Sequence, residues 1–147
     1  MSRRAIGQED LGIGSPCIGH RSSLDDLTNL IDWTPIARQI DDIHSAVKGE
    51  PAWPPLALFK ALLISIWYDL SDVKLAEALD DRASFRRFCG FSSKETTPER
   101  TTFVRFRKQL VMRGVDETLF KETCARIHFA TDVGASDMRR AGECLVI

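Results

Sequence analysis

The chain is predicted to be all-α, and three observations carry that prediction. Apolar residues recur at three- and four-residue spacing through most of the stretch from Leu24 to Ile127. The segments so marked are punctuated by helix signals, with Ser, Thr or Pro at their starts and Gly at several of their ends. No pair of alternating runs separated by a tight turn suggests a hairpin anywhere. The expected architecture is one compact domain of about seven helices with a helix-turn-helix-like segment, since 147 residues suffice for a single buried core.

The elements follow in order. Residues 1–21 are rich in Gly and mixed polar residues without a period and read as a disordered leader. Ser22 and Ser23 cap a first short helix, LDDLTNLI, whose aspartates lie near its positive dipole end. Thr34 is the expected N-cap and Pro35 the first helical residue of a second helix, IARQIDDIHSAV, with Ile36, Ile40, Ile43 and Val47 on one stripe. KGEPAWPP is a loop, because Gly49 and three prolines forbid a helix. Pro54 or Pro55 opens LALFKALLISIWYDL, apolar nearly all round and therefore the central buried helix.

Asp69-Leu70-Ser71 breaks that helix, and Ser71 caps DVKLAEALDD, with Val73, Leu75, Ala76 and Leu79 expected inward. A compact helix over ASFRRFCGF ends at Gly90. After the loop SSKETTPER, the helix TTFVRFRKQLVMRG runs to Gly114, and DETLFKETCARIHF forms the last helix with Leu119, Phe120, Cys124 and Ile127 periodic. The ordered domain is thus bounded at residues 22–128, with an irregular tail over 129–147.

Composition excludes several classes. An apolar share of 44% and a charged share of 28% are ordinary for a globular protein. The longest apolar stretch, Leu56 to Tyr68, is interrupted by Lys60 and Ser65 and is too short for a bilayer, so no membrane association is expected. The N-terminus has cations but no apolar core of a signal peptide, and four cysteines without C-x-x-C spacing read as reduced thiols, so the expected compartment is the cytoplasm.

Charge is distributed unevenly. The net charge is −1, yet residues 82–113 hold nine cations against two anions, leaving 11 cations and 19 anions for the rest. Such a chain presents a cationic face although its total is near neutral. Within it Phe103, Phe106 and Leu110 fall on one stripe, with Thr101, Arg105, Lys108 and Gln109 opposite. Hydroxyls and cations along the N-terminal half of a helix suit entry into a DNA groove, where Thr101 and Thr102 reach phosphates or base edges and Arg105 and Lys108 reach one turn further. Arg86 and Arg87 are expected to brace a phosphate strand. With Arg82 and Arg100 the candidate DNA-binding set is Arg82, Arg86, Arg87, Arg100, Thr101, Thr102, Arg105 and Lys108. The bland alternative is a solvated amphipathic face. Arg107 lies toward the apolar side, and its expected role is a stem packed on the core with its head paired to Asp80 or Asp81.

Other features carry less. Cys17-Ile-Gly-His20 is half a zinc site at most. His44 sits among acidic residues and is expected to hydrogen-bond there; Trp33, Trp53 and Trp67 are spaced as core and loop anchors. The Asp-Asp pairs at 25–26, 41–42 and 80–81 diverge by 100° on a helix and form no metal cage. No phosphate loop, dinucleotide turn or nucleophilic triad is present, so no catalytic residue, metal or cofactor is assigned.

The run GEPAWPPLALFKALLISIWYDLSDVKLAEALDDRASFRRFCGF, followed by PERTTFVRFRKQL, resembles the N-terminal domain of bacterial insertion-sequence transposases of the IS-five-like group. The matching motifs are the LFK-containing apolar helix, the Y-x-LSD turn at Tyr68–Asp72, the L-x-E-x-L-x-D-R segment at Leu75–Arg82, S-F-R-x-F-x-G at Ser84–Gly90 and T-x-x-R-F-R at Thr102–Arg107. The resemblance implies binding to the terminal inverted repeats of a mobile element. In full-length members it further implies a following RNase-H-like domain that cuts and joins strands with a metal-binding D-D-E triad. The tail HFATDVGASDMRRAGECLVI lacks the expected D-A-T setting, so the expectation here is a truncated copy with no strand-transfer chemistry of its own. The alternative expectation is a helical interaction module that pairs with itself or regulates a full-length transposase.

Overall fold

The computed structural model describes residues 3–7, 23–43 and 51–132. Among these residues stand seven helices and no strand. The first, α1 (Ser23–Leu30), carries Asp25 and Asp26 in its first turn and buries Leu24 and Leu27. Its end leads through Asp32 and Trp33 into α2 (Thr34–Ile40). Thr34 is not the N-cap: Trp33 holds that position, and the Asp32 carboxylate accepts the Thr34 backbone N–H at 3.0 Å. That bond, with one from the Thr34 side chain, holds the Asp32 carboxyl below its ordinary range.

The second helix is shorter than the sequence pattern predicts. It stops at Ile40 because the next two residues turn toward cations: Asp41 pairs with Arg3 at 2.7 Å and Asp42 with Arg113 at 2.5 Å. Their carbonyls also accept from the same two guanidinium groups. Ile43 still reaches the core at 1% exposure, on the stripe shared with Ile36 and Ile40. His44 and Val47 lie outside the described residues, as do Cys17 and His20 and the tail beyond Asp132.

The central helix is α3 (Pro55–Trp67), entered through Pro54 and buried continuously from Ala57 to Ser65. It packs on α2 and on three later helices, α4 (Asp72–Asp81), α5 (Ala83–Cys89) and α6 (Arg100–Arg113). Its end is a reversal in which Asp69 adopts a left-handed backbone, φ 52°, and the Leu70 N–H bonds back to the Ser65 carbonyl at 2.8 Å. Ser71 then caps α4 as expected, its hydroxyl accepting the Lys74 N–H at 3.3 Å. Leu75 and Leu79 turn inward with Ala76 partly buried, but Val73 does not: it is 48% exposed. Counted at 100° per residue from the Leu75–Leu79 stripe, position 73 falls on the opposite side.

Gly90 stops α5 with φ 94°, a left-handed conformation that a β-carbon would strain. Gly114, φ 66°, stops α6 in the same way, and α7 (Asp116–Asp132) follows. Leu119 and Ile127 of α7 are buried, and Phe120 stacks on Phe59 of α3 at 5.4 Å. One cluster of apolar side chains extends from Leu24 to Ile127. Trp33 and Trp67 anchor it by packing on Phe88, and Trp53 packs on Phe91. Among the described residues no helix is long and apolar enough to cross a membrane.

Part of the segment expected to be a disordered leader lies against this body. Arg3 forms an isolated parallel bridge with Ala52, and the Arg4 N–H bonds to the Ala52 carbonyl at 2.9 Å. The Arg4 guanidinium lies 4.6 Å from the centre of the Trp53 ring, and Ile6 packs against the core. The Gly7 N–H then reaches the Glu95 carboxylate at 3.1 Å. Five residues thereby tie the loop before α3 to the loop before α6.

Candidate nucleic-acid interface

The geometry of α6 follows from its periodicity. Phe103, Phe106 and Leu110 are fully buried, which fixes the opposite side toward solvent. On that side Arg100, Thr101, Arg105 and Lys108 are exposed, while Thr102 is half-buried and donates its N–H to the Glu99 carbonyl at 3.0 Å. Arg100, Arg105 and Lys108 form no side-chain ion pair or hydrogen bond among the described residues. Three cations on one helix side attract a polyanion, and nothing among the described residues competes for them.

Four other cations of the basic stretch, Arg86, Arg87, Arg107 and Arg113, are committed. Arg107 is not paired to Asp80 or Asp81; its guanidinium makes a two-pronged contact with Asp72 at 3.1 and 2.9 Å, joining α6 to the first turn of α4. Arg113 is held by Asp42. Arg87 faces Asp25 with bonds of 3.3 and 3.2 Å, where the carboxylate also suits the N-terminal end of α1.

Arg86 departs furthest from its expected role. It is 8% exposed, and its guanidinium donates to the carbonyls of Ser92 at 3.2 Å, Leu79 and Asp80 at 3.4 Å, and Glu95. A further contact of 3.4 Å reaches the Asp80 carboxylate. With its donors spent inside the protein, Arg86 organises the loop leading to α6 and has no free prong for a phosphate. Glu95 completes the arrangement by accepting the Ser92 N–H at 3.0 Å on the same oxygen that accepts the Gly7 N–H. The long connection between α5 and α6 is thus pinned from both sides.

Arg82 is exposed at the joint of α4 and α5, with its guanidinium 5.0 Å from the Phe85 ring. Helix α5 packs on α1, α3 and α4, whereas α6 packs on α3, α4 and α7. The eight candidates therefore divide by element. Arg100, Thr101, Arg105 and Lys108 share one exposed helix side, with Thr102 at its edge; Arg82, Arg86 and Arg87 belong to α5 and its start.

The same side of α6 carries apolar residues absent from the candidate set. Val104 is 44% exposed, Val111 59% and Met112 71%. Their signal was present in the helical period, since positions 104 and 111 fall opposite the stripe of Phe103, Phe106 and Leu110. Among the described residues no group of three or more His, Cys, Asp or Glu side chains is placed to hold a metal ion.

A family model described as "Transposase domain (DUF772)" matches residues 16–109. That span takes in the first six helices up to the penultimate turn of α6. No solved structure matches the chain.

Proposed function

The chain belongs to the family of transposase domains (DUF772), and on that premise we propose that it binds duplex DNA, the terminal inverted repeats of a mobile element, through the exposed side of α6. The observation that carries this reading is the row Arg100, Thr101, Arg105 and Lys108, whose cations lack partners among the described residues. Phe103, Phe106 and Leu110 hold the helix rigidly behind that row, and the Arg107–Asp72 contact fixes its rotation against α4. A positioned helix with short hydroxyls in its first turn and cations beyond matches the shape and charge of a major groove. The reading assigns these helices to recognition and gives none of them a part in breaking or joining strands.

Fluorescence anisotropy on a duplex bearing the inverted repeat, against a scrambled duplex, tests it. Engagement of phosphates by two or all three of Arg100, Arg105 and Lys108 predicts a slope between about −1.8 and about −2.7 for log K against log salt, at about −0.9 per phosphate. Equal affinity for both duplexes removes the sequence selectivity; absence of binding at low salt removes the proposal.

A second reading, a surface for a full-length transposase or for a second copy of this chain, is favoured by a groove of about 570 Å³ between the end of α1 and α7. Leu30 and Phe129 on its rim are 54% and 77% exposed. Light scattering without DNA distinguishes it, since a monomer across the micromolar range argues against self-association.

A further inference from the structure

The cationic side of α6 has an apolar centre. Val104 lies three residues after Thr101 and four before Lys108, so these three side chains share one strip of the helix, with Arg105 beside them and Arg100 one turn earlier. Val111 extends the strip two turns on. Single exposed valines are common on protein surfaces. This one is flanked on the helix surface by cations that lack partners among the described residues and that the DNA-binding reading turns toward the groove. A β-branched residue is also a weaker helix former than Lys, Glu or Ala, so a purely solvated strip gains nothing from it.

Resting on the DNA-binding reading, we infer that Val104 is a specificity residue that packs its methyl groups against the C5-methyl of a thymine. The chemistry of the groove leads there. Base edges in the major groove offer hydrogen-bonding groups and a single apolar group, the thymine methyl. Val104 has no hydrogen-bonding atom in its side chain and is in the second turn of the helix, the part that enters a groove N-terminus first. Thr101 and Arg105, to either side of it, face the polar edges of neighbouring bases. Arg100 and Lys108, toward the two ends, face phosphates. Charge complementarity selects DNA over a second copy of this helix, because self-pairing brings Arg100, Arg105 and Lys108 of one copy close to the same cations of another.

The test uses the full chain. A duplex is selected from a randomised library, and each thymine of the selected sequence is then replaced in turn by deoxyuridine, which removes the methyl and leaves every hydrogen-bonding group in place. The expected result is one or two positions where the replacement weakens binding about fourfold, the ratio corresponding to about 0.8 kcal/mol for one buried methyl-sized group. Val104→Ala is expected to bind the thymine and deoxyuridine duplexes alike, with an unchanged melting temperature; Val104→Thr, closest in shape, retains part of the discrimination. If binding is strong and salt-dependent but indifferent to every deoxyuridine, Val104 reads nothing and the DNA-binding reading survives. If Val104→Ala keeps the parent's sensitivity, another side chain touches the methyl and the assignment to Val104 is overturned. If no duplex is enriched or bound at low salt, both the inference and the reading beneath it fall.

Discussion

Arg107 and Asp72 face each other across α6 and α4, their guanidinium and carboxylate joined by two hydrogen bonds of 3.1 and 2.9 Å. The contact links the helix that carries Arg100, Arg105 and Lys108 to the N-terminal turn of its neighbour, where a carboxylate is also favoured by the helix dipole. Being two-pronged, it fixes an angle as well as a distance. The Arg107 side chain is 47% exposed, so water screens much of its charge.

A double-mutant cycle on Arg107→Ala and Asp72→Ala is therefore expected to give a coupling of about 0.5–1 kcal/mol, the upper part of the range for accessible pairs. Urea unfolding of the four proteins measures it. Arg107→Ala is expected to leave the salt slope of DNA binding unchanged, because this cation is engaged at home. A slope shallower by about 0.9 in that variant would show instead that Arg107 leaves Asp72 for a phosphate.

The two faces of α6 are separable by mutation. Phe103→Ala and Phe106→Ala remove fully buried rings and are expected to destabilise the fold by roughly 3–5 kcal/mol. Arg105→Ala and Lys108→Ala change exposed side chains and are expected to shift stability by no more than about 0.5 kcal/mol while weakening DNA binding. Thermal melting beside a DNA titration, on all four variants, checks both halves. Arg105→Ala and Lys108→Ala binding as tightly as the parent would move the contact away from this helix.

Much of this arrangement was legible because it is local. The Ser71 cap, the glycine stops at Gly90 and Gly114, and the buried stripe of α6 each depend on residues within a few positions of one another. What was not legible depends on partners far along the chain. Arg86 looked like a phosphate ligand because its sequence neighbours are basic, and only folding brings the carbonyls of Leu79, Ser92 and Glu95 around it. For Arg107 the sequence suggests a carboxylate near the end of α4, whereas the packing of α6 on α4 supplies the one at its start. Residues 3–7 gave no periodic signal, since an extended segment held by backbone bonds to Ala52 and by the Glu95 carboxylate needs none.

Arg86→Ala follows from its buried position. Removing the guanidinium leaves several carbonyls without a donor, with an expected loss of roughly 1–3 kcal/mol. Arg86→Lys is expected to recover little, because a single ammonium cannot span acceptors on both α4 and the following loop. Chemical denaturation reads both variants. A loss below about 0.5 kcal/mol in Arg86→Ala would mean that water replaces the guanidinium freely.

Glu95 offers a test of how the N-terminal segment bears on α6. One of its carboxylate oxygens accepts the N–H groups of both Gly7 and Ser92. Glu95→Ala is expected to cost about 1 kcal/mol and to speed hydrogen exchange at those two amides, leaving the amides of Phe103 and Phe106 protected. Exchange measured by NMR resolves the two regions. Unchanged protection at Ser92 would show that Arg86 alone holds the loop.

Lys60 gives the pH dependence its sign. Its ammonium is buried in α3, 4.6 Å from the centre of the Trp33 ring and 5.4 Å from that of Phe88, and burial lowers its pKa from the usual 10.5. The aromatic faces attract the cation, and lost hydration is expected to outweigh them. Below the folded-state pKa both folded and unfolded chains are protonated, and the fold bears the whole cost of the buried charge. Above 10.5 both are neutral and the cost is gone. Between the two the unfolded chain binds the extra proton, so this residue's contribution to stability rises with pH. Cys89 acts in the opposite sense: burial pushes its thiol up to about 12 from 9.0, so its contribution is lost as pH rises through that interval. Comparing Lys60→Met with the parent largely cancels the contribution of Cys89. The variant is expected to be the more stable protein at pH 7, with a margin that narrows as pH approaches 10.5. Urea titrations of both proteins at pH 7 and pH 10 decide it; a less stable Lys60→Met at pH 7 would mean that the cation–π contacts with Trp33 and Phe88 outweigh the lost hydration.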